Sequence, residues 1–372
     1  MSSETLTNDD WNATVEWLGG SELLEKEARE TGAFQRARKV PCAVDQLRLT
    51  LAYCLGAMGF RSTAVWAAAA DLAQLSNVAL LKRVRKTSLW LETILNRQLA
   101  AQSRSLDTTL TKGRLIRIVD ATVVAKASRA ERQAGGVWRV HAVFDLDGKT
   151  ERFSAFELTD EREGERLDRS AVVPGEIRIG DRAYLQPDRI AAVLAAGGDV
   201  LIRAPWNGAR WLDAEGKSFD LIATLMRAKS AGNIDQPIWI KGTAATPIAL
   251  RLVAIRKPEA AIADTRAKLE AEARAKGREL QPETLVAAGW VILVTSLNVA
   301  EFPTAAIGEL YKLRWRIEIS FKHLKSGLGF KRPPGDDPDI AKAHILSHLL
   351  MALMTEPLIA EHLGVSPRRL AA

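Results

Sequence analysis

Tyr311-Lys-Leu-Arg314-Trp-Arg-Ile-Glu318-Ile-Ser-Phe-Lys-His-Leu-Lys325 is the stretch on which the reading of this chain turns. No Pro or Gly interrupts it before Gly327, and apolar residues recur every third or fourth position, so the spacing predicts a helix. At ~100° per residue, Leu313, Ile317, Phe321, Leu324 and Leu328 share an arc of ~80°, a stripe that faces a core. Tyr311, Arg314, Glu318 and Lys325 share a neighbouring arc of ~60°. Between residues 311 and 332 the cations are Lys312, Arg314, Arg316, Lys322, Lys325, Lys331 and Arg332, and Glu318 is the only acid. Two readings fit that face. It is a solvated basic surface with one Arg314–Glu318 pair, or it meets a polyanion or a bound metal.

The chain around it has 372 residues, enough for two or three domains with real cores. Its 47% hydrophobic and 26% charged content is that of an ordinary globular protein, and a net charge of +7 admits nucleic acid as a partner. Cys42 and Cys54 are the only cysteines, too few for a disulfide framework or a thiolate zinc site, which points to a reducing, cytoplasmic setting. The polar, acidic N-terminus does not read as a signal peptide, and the apolar run from His344 to Ile359 is too short and too polar to span a bilayer. No membrane association is expected.

Residues 1 to about 32 are rich in Glu and Asp and would be repelled by phosphate; the charge then reverses at Arg36, Arg38 and Lys39. An Ala-rich helix after Arg61 and a basic one from Val78 to Lys86, with Ser76-Asn77 as its cap, resemble a helix-turn-helix. Lys82, Arg83, Arg85 and Lys86 are then either DNA contacts or a solvated face. From Gly113 the pattern becomes strand-like. Leu115 to Val124 is a β-branched run interrupted by Asp120, an acid that is costly in such a strand unless paired, hydrogen-bonded or metal-bound. Strands at Trp138–Phe144 and Arg152–Leu158 flank Asp145-Leu-Asp-Gly148, a hairpin signal. Glu176 to Gly180 is a strand ending at Asp181 before a helix from Pro187 to Ala196, and an acid at the carboxyl end of such a strand lies where open α/β sheets place ligands. Asp199 to Ala204 adds a strand, and the order suggests a mixed sheet with a hairpin at one side. Residues 206–289 look like a different module, after which Gly289 to Ser296 returns to the core as a buried strand.

Tyr311, Arg314, Glu318 and Lys325 match the spacing Y-x2-R-x3-E-x6-K, and the chain resembles the DDE transposases of insertion-sequence family four. The strand bearing Asp120, then Gly180-Asp181-Arg182, then the signature, follow that family's order, with an insertion between the second Asp and the Glu and a Trp at the strand before the signature helix. The resemblance covers roughly residues 105 to 335.

It implies an α/β fold: a ribonuclease-H-like mixed sheet flanked by helices, with a β-rich insertion domain and an N-terminal helical domain. The boundaries expected are an end-binding helical domain at 1–105, core at 106–205, insertion at 206–289, core with the signature helix at 290–335, and a helical region at 336–372. Asp120, Asp181 and Glu318 would be catalytic and hold two Mg²⁺, with Mn²⁺ as a substitute, for in-line displacement at phosphorus. Tyr311, Arg314 and Lys325 would grip transposon-end phosphates. Trp290 would stack on a displaced base or fill the core, and Arg182 would contact DNA or pair with its neighbouring acid. The implied partners are transposon-end DNA, target DNA and a second copy in a paired-end complex, in a bacterial cytoplasm. A DNA-binding relative without catalysis, and a nuclease of the same fold without strand transfer, are the rivals. His344 and His348 are expected to be buried or dimer-contact residues, since no Glu or Cys accompanies them.

Overall fold

A computed structural model describes residues 8–56, 58–101, 111–126, 136–146, 151–228, 232–243, 246–315, 317–318, 321, 332–334 and 337–363. Six helices come first: α1 Asn8–Trp17, α2 Ser21–Glu30, α3 Ala43–Leu55, α4 Phe60–Ala69, α5 Asn77–Val84 and α6 Ser88–Ala101. Ser76 caps α5 as its spacing predicts, its hydroxyl accepting from the Ala79 amide at 3.2 Å. The acids of the opening have internal work. Glu27 takes a bidentate contact from Arg97 at 2.8 and 3.1 Å, tying α2 to α6, and Glu25 accepts from the Ala43 amide at the start of α3.

The strands are β1 Ile116–Ala125, β2 Val137–Leu146, β3 Glu151–Asp160, β4 Ile177–Gly180, β5 Asp199–Arg203, β6 Arg210–Leu212, β7 Ile234–Lys241, β8 Ile248–Arg256 and β9 Trp290–Thr295. Among the described residues they form one nine-stranded sheet in the order β3-β2-β1-β4-β5-β9-β8-β7-β6. β1, β4 and β5 run parallel, while β2 and β3 form the antiparallel side that the strand pattern predicts. Of the turn expected at Asp145–Gly148, Asp145 and Leu146 belong to β2, and residues 147 and 148 lie outside those described. The segment expected as a separate insertion contributes β6, β7 and β8 to this same sheet, because β8 pairs antiparallel with β9.

Two apolar layers cover the sheet. On one face, Ile116, Ile118, Val140 and Phe144 pack with residues of α3, α6, α11 (Thr304–Lys312) and α12 (Pro338–Leu363), and with Leu313, Ile317 and Phe321. The N-terminal helices therefore pack into one apolar cluster with this face of the sheet. On the other, Val119, Val200, Ile202, Ile292 and Val294 pack with α7 (Pro187–Ala195) and α8 (Leu221–Arg227), while α9 (Glu259–Ala275) and α10 (Pro282–Ala287) lie between β8 and β9 in the chain. The 26 residues of α12 carry too many polar groups to be a membrane span, and no helix among the described residues is long and apolar enough to cross a bilayer. His344 and His348 sit in it with ring centroids 4.3 Å apart. Burial, and then His348, push the His344 pKa down to about 4, so the pair is held neutral within the helix packing.

A buried ionic network ties β4 to the loop that precedes it. Arg178 and Glu176 are both fully buried, and the Arg178 Nε donates to Glu176. Arg178 also donates to the carbonyls of Leu167, Ser170 and Ala171, at 2.6, 2.9 and 2.7 Å. Arg117 of β1 joins from the other side, 3.0 Å from Glu176 and 2.9 Å from Asp145.

Candidate active site

The register of the parallel strands brings the first two acids together. Ile118 of β1 lies beside Ile179 of β4, so two residues further on Asp120 and Asp181 stand at the same level of neighbouring strands, ~4.8 Å apart in the pairing direction. Side chains alternate along a strand, and Asp120 has the parity of Ile116, Ile118 and Val124, which enter the core shared with Ile317 and Phe321. Asp120 therefore faces the segment that carries Glu318. Asp181 follows the last residue of β4 and caps a short 3₁₀ turn, Arg182–Tyr184, by accepting from the Ala183 amide at 2.8 Å. Gly180 is required there: a Cβ would stand 2.8 Å from the Tyr184 Cβ, which packs on the strand end.

The signature segment departs from an unbroken helix. α11 begins at Thr304 and ends at Lys312; Leu313 and Arg314 form a turn; helical conformation returns at Trp315, Ile317, Glu318 and Phe321. The Leu313 and Arg314 amides reach carbonyls three residues back, Leu310 and Tyr311, at 3.2 and 3.1 Å, a local tightening of the spiral. Arg314 sits on this turn. Its Nη1 lies 3.6 Å from Asp120 Oδ2, and its Nη2 donates to Glu318 Oε1. One guanidinium thus spans a carboxylate from β1 and one from the signature segment.

Asp120 is 15% exposed, and its pKa is pushed up to about 6. Burial is the main cause, and the charges of Asp181 and Glu318 add to it against the Ala121 amide and Arg314. The three acids therefore share one electrostatic site. As arranged, no three His, Cys, Asp or Glu side chains among the described residues are placed to hold a metal ion. The donors have the hard-oxygen chemistry for Mg²⁺, but Arg314 stands among them.

The raised Asp120 pKa has a measurable consequence. An Asp whose folded-state pKa lies above its ordinary 3.8 costs stability once pH exceeds that value, and the cost is complete above about 6. Asp120→Asn should therefore stabilise the metal-free protein by about 2–3 kcal/mol at pH 7.5, with the gain vanishing as pH falls to about 4. Denaturant melts of both proteins across that range check it, and a variant destabilised at pH 7.5 contradicts it.

Beside the acids opens a pocket of about 530 Å³, lined among others by Arg203, Tyr311, Arg314, Trp315 and Glu318. Burial raises the pKa of the Tyr311 phenol, with the Arg314 and Arg203 charges opposing, and Arg314 lies over its ring at 5.8 Å. Partial desolvation and nearby Arg203 depress the Arg182 pKa. Arg203 follows Ile202, which pairs with Gly180, and so stands at the level of Asp181 on the neighbouring strand. Sequence reasoning gave it no role, although an arginine ending the strand next to Asp181 was the available signal. Trp315, also on the pocket wall, is 54% exposed.

Other expected contacts fall elsewhere. Trp290 is 2% exposed and packs in the second core under Arg256, 5.4 Å from its ring, so in this conformation it fills the core and presents no face to a base. Arg83 donates to Gln46 at 3.0 Å and Arg85 pairs with Asp337, so these two brace the helical region, while Lys82 and Lys86 remain exposed. Lys325 lies outside the described residues.

Residues 111–354 match the model of the transposase DDE domain. The chain is 37% identical over 367 residues to the putative transposase InsL for insertion sequence element IS186A of Escherichia coli strain K12, covering 97% of each chain. It is also 37% identical, over 368 residues and again 97% of each chain, to the transposase for insertion sequence element IS421 of Escherichia coli. With one acid within β1, a second just past the end of the neighbouring β4 and a third on a following helical segment, the chain belongs to the DDE transposase family.

Proposed function

We propose that this protein is the DNA transposase of an insertion sequence, cleaving the element's ends and joining them to target DNA by phosphoryl transfer. The observation that carries the reading is the convergence of Asp120, Asp181 and Glu318 from three separate parts of the chain onto one electrostatic site. The five strands β3-β2-β1-β4-β5 are read as the ribonuclease-H-like core, with β6 to β9 continuing that sheet. The three acids are assigned to the divalent metals that this family generally uses, once Arg314 no longer lies among them.

The remaining residues divide by charge. Tyr311, Arg314, Arg182 and Lys325 are assigned to phosphates of the transposon end, where a guanidinium can take two oxygens at once. Arg203 joins them as a cation on the pocket wall. Lys82 and Lys86 offer exposed positive charge for a more distant stretch of duplex. Pairing of two ends requires a second copy of the chain, so a dimer on DNA belongs to the same reading.

The test uses a duplex ending in the inverted repeat that borders the gene, supplied pre-cut with a target plasmid and Mg²⁺. Joined products are expected. Hydrolysis without joining would favour a nuclease of the same fold, and binding without either reaction would favour a non-catalytic DNA-binding protein.

A further inference from the structure

The same guanidinium that is assigned to DNA is, in the free protein, held by the acids. Arg314 is 14% exposed at its side chain, bridges Asp120 and Glu318, and borders the pocket that also exposes Arg203. Its planar fork reaches two carboxylates on different elements, which a lysine point charge would not do as well. Crowded carboxylates need a countercharge, and here the chain supplies its own. A divalent cation would need the same oxygens. The turn at Leu313–Arg314 carries this side chain, which reaches both acids and also lines the adjoining pocket.

We infer that Arg314 is an internal counter-ion that keeps the carboxylate cluster closed to metal ions in the DNA-free protein, and that a phosphodiester seated in the adjoining pocket draws it away. This rests on the DDE reading of the site. Metal binding and DNA binding are then positively coupled, and the coupling is reciprocal: each raises the affinity for the other by the same factor. The arrangement keeps the hydrolytic site unassembled until a DNA strand is in place. It also gives Arg314 two alternative anionic partners, one internal and one on the substrate.

Mn²⁺ binding to the full-length protein, followed by electron paramagnetic resonance of the free ion, tests this without any turnover. In the absence of DNA, Arg314→Ala should bind Mn²⁺ roughly ten- to hundredfold more tightly than the wild type. Arg314→Lys should fall between them, and guanidinium chloride at non-denaturing concentration should restore exclusion in Arg314→Ala. Arg314→Gln, which keeps a polar, uncharged side chain longer than alanine's, replaces the alanine variant if that one melts early. In the wild type, a 5′-phosphorylated duplex shown to be bound by mobility shift should raise Mn²⁺ affinity by a similar factor, over the signal given by Asp120→Asn on the same duplex. Equal Mn²⁺ affinity in the wild type and both neutral variants overturns the counter-ion role, as does bound DNA that leaves the wild-type affinity unchanged. Failure of the DDE reading gives a different result: Glu318→Gln or Asp120→Asn, added to Arg314→Ala, would then leave Mn²⁺ binding intact.

Discussion

Glu318→Gln is expected to abolish DNA cleavage while leaving binding of the transposon end in place. The substitution keeps the side chain's size and removes its charge, so the loss falls on the chemistry. Glu318 is the acid reached by Arg314 on the signature segment and is 40% exposed, open to the pocket in which the substrate phosphate is assigned. Removing one preorganised electrostatic group from a phosphoryl-transfer site lowers the rate on the order of 10³-fold or more. Binding should be unchanged or slightly tighter, because a negative charge facing phosphate has been removed. A gel assay of strand cleavage beside a mobility-shift titration separates the two quantities. Undiminished cutting would remove Glu318 from the catalytic set.

The second large effect is on stability. Arg178→Ala removes the buried guanidinium that holds Glu176 and three carbonyls of the loop before β4. Arg117 still reaches Glu176, but the carbonyls of Leu167, Ser170 and Ala171 lose a charged donor. A destabilisation of about 3–5 kcal/mol is expected. Pairing Arg178→Met with Glu176→Gln should recover part of it, since the charge left behind is then removed and apolar volume is restored. Denaturant titrations measure both, and a loss below ~1 kcal/mol for Arg178→Ala would mean that water replaces the guanidinium in the loop.

Much of the site was legible in the residues because its acids break local rules. Asp120 stands inside a β-branched run and Asp181 follows a strand-ending glycine, and both positions are uncomfortable unless the acid has a task. Strands β1 to β5 were legible as β-branched and apolar runs bounded by turn residues. What was hidden depends on contacts between distant residues. No Pro or Gly marks the turn at Leu313–Arg314, which arises from hydrogen bonds to carbonyls three residues back. The placement of Arg203 follows from the register of β4 and β5, which no local pattern encodes. The pairing of β8 with β9 merges a stretch of different texture into the main sheet, and β6, three residues long, is too short to show a period. Trp290 had both a core and a stacking reading, and only its surroundings separate them.

The central position of β9 sets a timetable for synthesis. β5 ends at Arg203 and its antiparallel neighbour β9 begins at Trp290, 290 − 203 = 87 positions later. At ribosomal speeds of roughly 5–20 residues per second, β5 waits about 4–17 s with one edge unpaired. Glu318 emerges later still, after the last strand of the sheet. The nascent chain therefore passes through a sticky, open-edged stage, when an exposed strand invites the wrong neighbour. Its potential for cutting DNA comes only once nearly the whole polypeptide has been made.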